Sequence, residues 1–317
     1  MTVLVTGAAG FVGQWLTRSL LERGEKVFGL TMTGPPAAGA LSKAQIGSVT
    51  WLSGDLRNSA DVDAALETAR PSAIYHLAAV TYVPEAGDDP VTAFDINTLG
   101  TVRLLNAIAR HSPKGASRTR TLVVGSGEQY GAHSTKAYPL SEDAAQRPLT
   151  VYAASKAAQE IAALQASKAQ QIDVVATRSF NHSGPGQDKR FLLPALVKRA
   201  AQLRETGSSE LPIGNTTPVR DFLHVSDVVA AYMTLCERGE SGQVFNVCSG
   251  VGRTVGQIAE TVLRIGGVRA TPKSDPNLVR PVDLPMLVGD NSKLCATGWE
   301  PAFSFDDMVT DLWNHVA

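Results

Sequence analysis

Tyr152 and Lys156 are the residues in this chain whose types and spacing could do chemistry together. Four positions apart on a helix, their side chains share one face, one turn apart. The stretch Tyr152-Ala-Ala-Ser-Lys156 is built to be helical. Pro148 closes the preceding loop, Thr150 stands where an N-cap belongs, and Ala153, Ala154, Ala157 and Ala158 are strong helix formers. A buried ammonium beside a phenol favours the phenolate, so Tyr152 is expected to exchange a proton near neutral pH. The same spacing recurs on many helices with no chemical role. The pair therefore takes its meaning from what the rest of the chain brings to it.

Composition narrows the classes of function. The 317 residues, 44% of them hydrophobic, suffice for one large domain or two closely joined ones. The net charge of −1, with both signs scattered, gives no basic surface for nucleic acid or a membrane. Cys236, Cys248 and Cys295 lack metal-ligand spacing and read as reduced thiols of a cytoplasmic protein; no metal is expected. No apolar run approaches a membrane span, and strand-like Val3-Leu4-Val5 runs straight into a glycine turn where a signal peptide would need its apolar region.

Taken in order, residues 2–6 read as a buried strand, and Gly7-Ala8-Ala9-Gly10-Phe11-Val12-Gly13 as the turn into a helix ending near Gly24. Small residues there let backbone approach a pyrophosphate, to which the helix N-terminus offers N–H groups and positive dipole. An ordinary tight strand–helix turn is the competing reading. The second strand, Lys26 to Leu30, ends at Thr31-Met32-Thr33, neither the acid that grips a ribose 2′-hydroxyl nor the arginine that suits a 2′-phosphate. NAD(H) and NADP(H) both stay open, leaning to NADP(H). A third strand, Val49 to Ser53, leads to Asp55 and Leu56. Asp55 either accepts from the adenine amino group or caps the next helix, Asp61 to Ala69.

Ala73 to Ala79 reads as a buried strand running into Leu77-Ala78-Ala79, with His76 a satisfied core histidine. Pro90 to His111 reads as one long helix carrying Asn97, and Thr121 to Val124 as a strand followed by Gly125-Ser126-Gly127-Glu128-Gln129-Tyr130-Gly131. Such alternation predicts an α/β fold with a doubly wound parallel sheet and a ligand site at the C-terminal strand edge. Ser126 then belongs beside the glycine turn and Tyr152, able to polarise a carbonyl; a local backbone hydrogen bond is its other reading.

Thr6 to Gly13, Leu77-Ala78-Ala79, Ser126 and Tyr152-x-x-x-Lys156 together resemble the extended short-chain dehydrogenase/reductases, which act on nucleotide sugars. Further along, Arg178-Ser-Phe-Asn-His-Ser-Gly-Pro-Gly-Gln187 is similar to the Arg-x-Phe-Asn-His segment of the group containing GDP-mannose dehydratases and GDP-4-keto-6-deoxymannose reductases. Gly214-Asn215, Val219-Arg220-Asp221-Phe222, Phe245 to Gly250, Arg280 to Pro285 and Gly289 to Trp299 extend the likeness over essentially the whole chain. It is nearest the reductases, and the dehydratases' usual Gly-Gln-Asp-Gly opening is replaced by Ala8-Ala9-Gly10.

The resemblance implies a Rossmann-like cofactor domain of residues 1–180 and 218–247, with a smaller C-terminal α/β lobe of residues 181–217 and 248–317 holding the substrate. It makes Tyr152 the proton donor, Lys156 the ligand of the nicotinamide ribose, and Ser126 the partner of the sugar carbonyl. Gly7, Gly10 and Gly13, with Phe11 and Val12, would lie on the pyrophosphate; Asp55 and Leu56 on adenine; Thr31, Leu77, Ala78, Ala79 and Asn97 along the rest of the cofactor. Glu128, which occupies the position of the dehydratases' base, is read as a sugar-hydroxyl contact, and Gly127 stands where some dehydratases carry an acid. Asn181, Arg220 and Arg280 are candidates for the diphosphate, although both arginines could equally be surface ion-pair partners; Thr81 and Leu192 complete the substrate set. His182 and His224 are expected to hold loops.

The implied reaction is NAD(P)H-dependent reduction at C4 of GDP-4-dehydro-6-deoxy-D-mannose, giving GDP-D-rhamnose or its C4 epimer GDP-6-deoxy-D-talose for a surface polysaccharide. A dehydratase or epimerase recycling its cofactor is the alternative within the class; a non-catalytic dinucleotide sensor is the alternative outside it. The resemblance also implies a homodimer through a four-helix bundle of residues 93–111 and 150–170.

Overall fold

The computed structural model describes residues 1–111, 119–279 and 283–316. In chain order the strands are β1 (Thr2–Thr6), β2 (Lys26–Thr31), β3 (Thr50–Ser53), β4 (Ala73–His76), β5 (Arg120–Ser126) and β6 (Val174–Ser179). They continue with β7 (Asn181–Ser183), β8 (Glu210–Ile213), β9 (Val219–His224), β10 (Val244–Val247), β11 (Gly252–Thr254), β12 (Thr271–Ser274) and β13 (Met286–Leu287). Seven strands form one sheet in the order β10-β6-β5-β4-β1-β2-β3, every neighbouring pair parallel.

Parallel strands need crossover helices, and here these cover both faces. Alternate residues of β1 feed the two cores. Val3 and Val5 join the layer of helices Phe11–Glu22 and Val225–Arg238, whereas Leu4 joins that of Ser59–Ala69, Gly100–His111 and Val151–Gln170. Strand order reverses between β1 and β4, the switch point where doubly wound sheets open a crevice at their carboxyl ends. The glycine turn, Leu77-Ala78-Ala79, Ser126 and Phe180 all follow strand ends on that edge.

Elements expected from the pattern appear with small shifts of boundary. The expected 90–111 helix is continuous but not uniform: Pro90–Phe94 and Gly100–His111 are α-helical, and Asp95–Leu99 between them is a π-turn. Residues 219–224, grouped with the cofactor domain by their neighbours in sequence, pair instead with β7, β11 and β13 in a small separate sheet. The helix after them does return to the large sheet. A third core, built from Leu193, Leu196, Ile213, Phe222, Ile258, Val262, Met308 and Leu312, fills the C-terminal part.

Asp221 ties the small sheet to its loops. Fully buried, its carboxylate accepts from Ser249 N (2.8 Å), Ser249 Oγ (2.6 Å), Gly250 N (2.9 Å) and Gly289 N (3.4 Å). Removing it strands several buried donors at once. Asp221→Ala should cost on the order of 3 kcal/mol, read as a lower urea midpoint with unchanged slope; an unchanged midpoint would show that these donors find other partners.

Candidate active site

The glycine turn closes on itself by contact between backbones. Gly7 lies at φ +72°, and a Cβ there would stand 2.8 Å from Ala78 N. A Cβ on Gly13 would stand 2.2 Å from Gly7 O. Thr6 Oγ1 accepts from Ala78 N at 3.2 Å, which joins the ends of β1 and β4. Gly7, Gly10, Phe11, Val12, Gly13, Leu77 and Ala78 are thus gathered at the switch point, with Ala79 next in line. The cradle of N–H groups opening the Phe11–Glu22 helix, with no side-chain cap of its own, suits a pyrophosphate.

At the adenosine end, Thr31 is buried and donates to Gly34 O at 2.8 Å, and Gly54 N donates to Thr31 O at 3.0 Å, so the ends of β2 and β3 are side by side. Asp55 does not cap the next helix. It accepts from Arg57 N (2.8 Å) and forms a forked pair with the Arg57 guanidinium, Oδ2 to Nη2 at 2.6 Å. That guanidinium holds its carboxyl below the usual range. The helix Ser59–Ala69 is capped by Asn58 instead. Leu56 is buried beneath, against Gly100.

Thr150 caps the helix Val151–Gln170 by accepting from Ala153 N at 3.1 Å. That cap fixes the entry of Tyr152 and Lys156 onto one face. Tyr152 is half-buried and hydrogen-bonded to Ser126, whose Oγ also accepts from Glu128 N at 3.2 Å. Ser126 therefore closes its own turn, the second reading of it, and also faces the tyrosine. Asn97 lies in the π-turn and locks two neighbours: it exchanges hydrogen bonds with Val80 (2.8 and 3.1 Å) and donates to Ser155 Oγ at 2.9 Å, which in turn donates to Tyr152 O at 2.8 Å. His76 is a satisfied core histidine between Thr6 Oγ1 and Thr101 Oγ1, each at 2.8 Å, and burial pulls it down to about 3.

The electrostatics reverse one expectation. Burial pushes the Tyr152 phenol up to about 12, the Ser126 hydrogen bond draws it down, and the Glu128 charge pushes it up. Lys156, 2% exposed, is itself drawn down to about 7 by burial. Burial, the largest cause, thus shifts the Tyr152 phenol in the direction opposite to the one an adjacent ammonium was expected to impose.

The substrate candidates are less tightly drawn together. Asn181 follows Phe180 at the carboxyl edge, and its buried Oδ1 has no hydrogen-bond partner among the described residues. Arg220 is ion-paired with Asp283 and donates to Val219 O at 2.9 Å. Leu192 opens the helix Leu192–Thr206, Thr81 is exposed beyond the Val80–Asn97 lock, and Glu128 is half-buried beside Tyr152. Arg280 lies outside the described residues. Both loop histidines hold loops: His182 Nδ1 bonds Phe180 O at 2.9 Å, and His224 caps the Val225–Arg238 helix by accepting from Ser226 N.

Sequence reasoning missed a cluster behind the site, buried Gln129, Glu160 and Arg178 with half-buried Gln146. The signal was present in part, since Glu160 follows Lys156 by four residues, as Lys156 follows Tyr152.

Lys156 also makes stability depend on pH. Its folded pKa lies below the ordinary lysine value, so between about pH 7 and that value the unfolded chain binds the extra proton and stability rises with pH. Denaturant unfolding of the ligand-free protein should show this rise from pH 7 to 9.5, and Lys156→Met should flatten it; a slope identical in both proteins would place the titration elsewhere.

The model of the family described as GDP-mannose 4,6 dehydratase matches residues 4–312. A GDP-6-deoxy-D-mannose reductase of Pseudomonas aeruginosa is 36% identical over 73% of this chain and 75% of its own. A GDP-6-deoxy-D-talose 4-dehydrogenase of Aggregatibacter actinomycetemcomitans is 32% identical over 93% of this chain and 90% of its own. Among solved structures, that described as RMD from Pseudomonas aeruginosa complexed with NADPH superposes with a TM-score of 0.83 at 30% identity, covering 99% of this chain and 98% of that one. The UDP-glucose 4-epimerase of Thermus thermophilus in complex with NAD gives 0.87 at 28%, covering 100% and 99%. With its glycine turn, parallel sheet and Ser126/Tyr152/Lys156 cluster, the chain belongs to the GDP-mannose 4,6-dehydratase family and is an extended short-chain dehydrogenase/reductase, an enzyme.

Proposed function

We propose that this enzyme reduces the C4 keto group of GDP-4-dehydro-6-deoxy-D-mannose with NAD(P)H, forming GDP-D-rhamnose or GDP-6-deoxy-D-talose. The observation that carries the reading is the hydrogen bond between the Tyr152 phenol and Ser126 at the carboxyl edge of the sheet, one helical turn from Lys156. Reduction of a ketone needs an acid that gives a proton to the developing alkoxide, and a phenol within hydrogen-bond reach of Ser126 is placed to do so. The reductase and the dehydrogenase among the relatives support the substrate class.

The reduced nicotinamide, when bound, supplies the hydride that C4 receives. Ser126 Oγ holds the C4 oxygen against Tyr152, and Tyr152 Oη delivers its proton to that oxygen. Lys156 carries the nicotinamide ribose, and its ammonium stabilises the phenolate left behind. Gly7, Gly10 and Gly13 with Phe11 and Val12 bind the pyrophosphate; Leu56 and Asp55 lie at adenine; Leu77, Ala78, Ala79 and Asn97 line the remainder. Neither Thr31, engaged with Gly34 O, nor Asp55, paired with Arg57, offers a free acid to a 2′-hydroxyl, which supports NADPH over NADH. The segments 181–224 and 248–316 form the nucleotide-sugar lobe. There Asn181, with its unpartnered Oδ1, Arg220 and Arg280 meet the diphosphate, and Thr81, Glu128 and Leu192 meet the sugar.

A dehydratase is the second reading, because the family model and several relatives carry that name. Gly127 speaks against it. It supplies no acid at that position, and a Cβ there would lie 3.0 Å from the Phe180 ring, so a larger residue would require the ring to move.

Purified protein given GDP-4-keto-6-deoxymannose should oxidise NADPH, and less efficiently NADH, stoichiometrically, with NMR of the product settling the C4 hydroxyl. Turnover of GDP-mannose with NADP⁺ and no consumption of NADPH would overturn the reductase reading. Tyr152→Phe should lower kcat about 10²- to 10⁴-fold with little change in cofactor affinity.

A homodimer is proposed through the helices of residues 90–111 and 151–170, which leave Val91 (80%), Leu99 (48%) and Ile161 (64%) exposed. Three large apolar side chains so exposed on neighbouring helices suit a four-helix contact. Ile161→Glu should convert a dimer to a monomer by light scattering; a wild type already monomeric would refute this interface. The reaction is placed in the cytoplasm, upstream of a surface polysaccharide, and no described helix is long and apolar enough to cross a membrane.

A further inference from the structure

β5 ends in a single turn of 3₁₀ helix, Gly127–Tyr130, with Ser126 as its cap. The cap is reciprocal: Ser126 N donates to Gln129 Oε1 at 2.7 Å, so the glutamine side chain folds back onto the serine backbone. A capping glutamine has an amide nitrogen left over. In this chain Gln129 Nε2 donates to Glu160 Oε2 at 2.8 Å, on the helix that carries Tyr152 and Lys156.

Glu160 is in turn rigidly held. Arg178 grips it through Nε (2.9 Å) and Nη2 (2.7 Å), and Gln146 Nε2 donates to it at 2.6 Å. Arg178 also donates to Glu142 O at 2.9 Å and lies over the Tyr130 ring at 4.7 Å. Gln129, Glu160 and Arg178 are 0%, 3% and 5% exposed. The approach is so close that a Cβ on Gly125 would stand 2.5 Å from Gln129 Oε1 and 2.3 Å from Thr177 O. Glycine at 125 makes room for this glutamine.

The structure assigns Gln129 as a positioning residue that ties the backbone of Ser126 to Glu160, and so sets the Ser126 hydroxyl against Tyr152 on the same helix. Buried completely, it reaches no ligand and acts through Ser126. The inference rests on the reductase reading for the role of Ser126.

Gln129→Leu removes the amide contacts to Ser126 N, Glu160 and Gln146 (3.3 Å) at similar bulk, and Gln129→Met serves if the leucine variant does not fold. Either should lower kcat roughly tenfold, with the KM for GDP-4-keto-6-deoxymannose and the Kd for NADPH within about twofold of wild type. In a Ser126→Ala background the same substitution should have no further effect on kcat, because the group it positions is gone. A change that only loosened the fold would multiply the two losses.

A second readout needs no substrate. With ¹³Cζ-labelled tyrosine, the Tyr152 resonance, identified by its loss in Tyr152→Phe, should move in the Gln129 variant to its position in Ser126→Ala. Multiplying kinetic losses, or a Tyr152 resonance left at its wild-type position, overturns the assignment. A wild type that turns over no GDP-4-keto-6-deoxymannose sinks the reductase reading instead, and the resonance comparison still decides the role of Gln129.

Discussion

The ion pair between Glu160 and Arg178 is the interaction on which the arrangement of this site depends. Placing two charges in an interior is costly unless both are fully hydrogen-bonded, and here they are. The carboxylate receives four N–H groups, from Arg178, Gln129 and Gln146, while the guanidinium meets a carboxylate, a carbonyl and an aromatic face. The pair spans the helix Val151–Gln170 and β6. Through Gln129 it reaches the end of β5, so three elements that carry the chemistry are referred to one rigid point.

The chemistry itself rests on desolvation. Tyr152 and Lys156 are taken out of water in opposite senses: burial raises the phenol and lowers the ammonium, bringing one to about 12 and the other to about 7. Burial thus disfavours the charged form of each group. A phenol raised in this way is a weaker acid than a free tyrosine, and a buried lysine lowered in this way responds strongly to whatever charged groups approach it. Glu128 adds to this by keeping the phenol protonated.

A second organising feature is how small residues draw backbones together. Gly7 and Gly13 allow the β1 turn to close on Ala78, Gly125 allows Gln129 in, and Gly127 accepts the face of Phe180. Each removes a side chain at a point where two segments must touch, and each such point lies at the carboxyl edge of the sheet. The lobe beyond it has its own core and its own buried carboxylate, Asp221, and it meets the edge through Phe180 and the segment after it.

Much of this was legible in the chain alone, because periodicity and punctuation are local. Alternating buried strands and amphipathic helices dictate a parallel sheet, and parallel strands with crossovers put every following loop on one edge. That is enough to bring Gly7, Leu77, Ser126 and Tyr152 together without any coordinates. The caps at Thr150 and the satisfied state of His76 were legible for the same reason. Other features were not, since they depend on which residues distant in sequence become neighbours. Asp55 found Arg57 instead of a helix, β9 left the large sheet, and Gln129 met Glu160 across 31 positions. The sign of the Tyr152 shift belongs with these: the sequence determined that a phenol and an ammonium share a helix face, but only the packing around them decided that burial sets the direction in which the phenol moves.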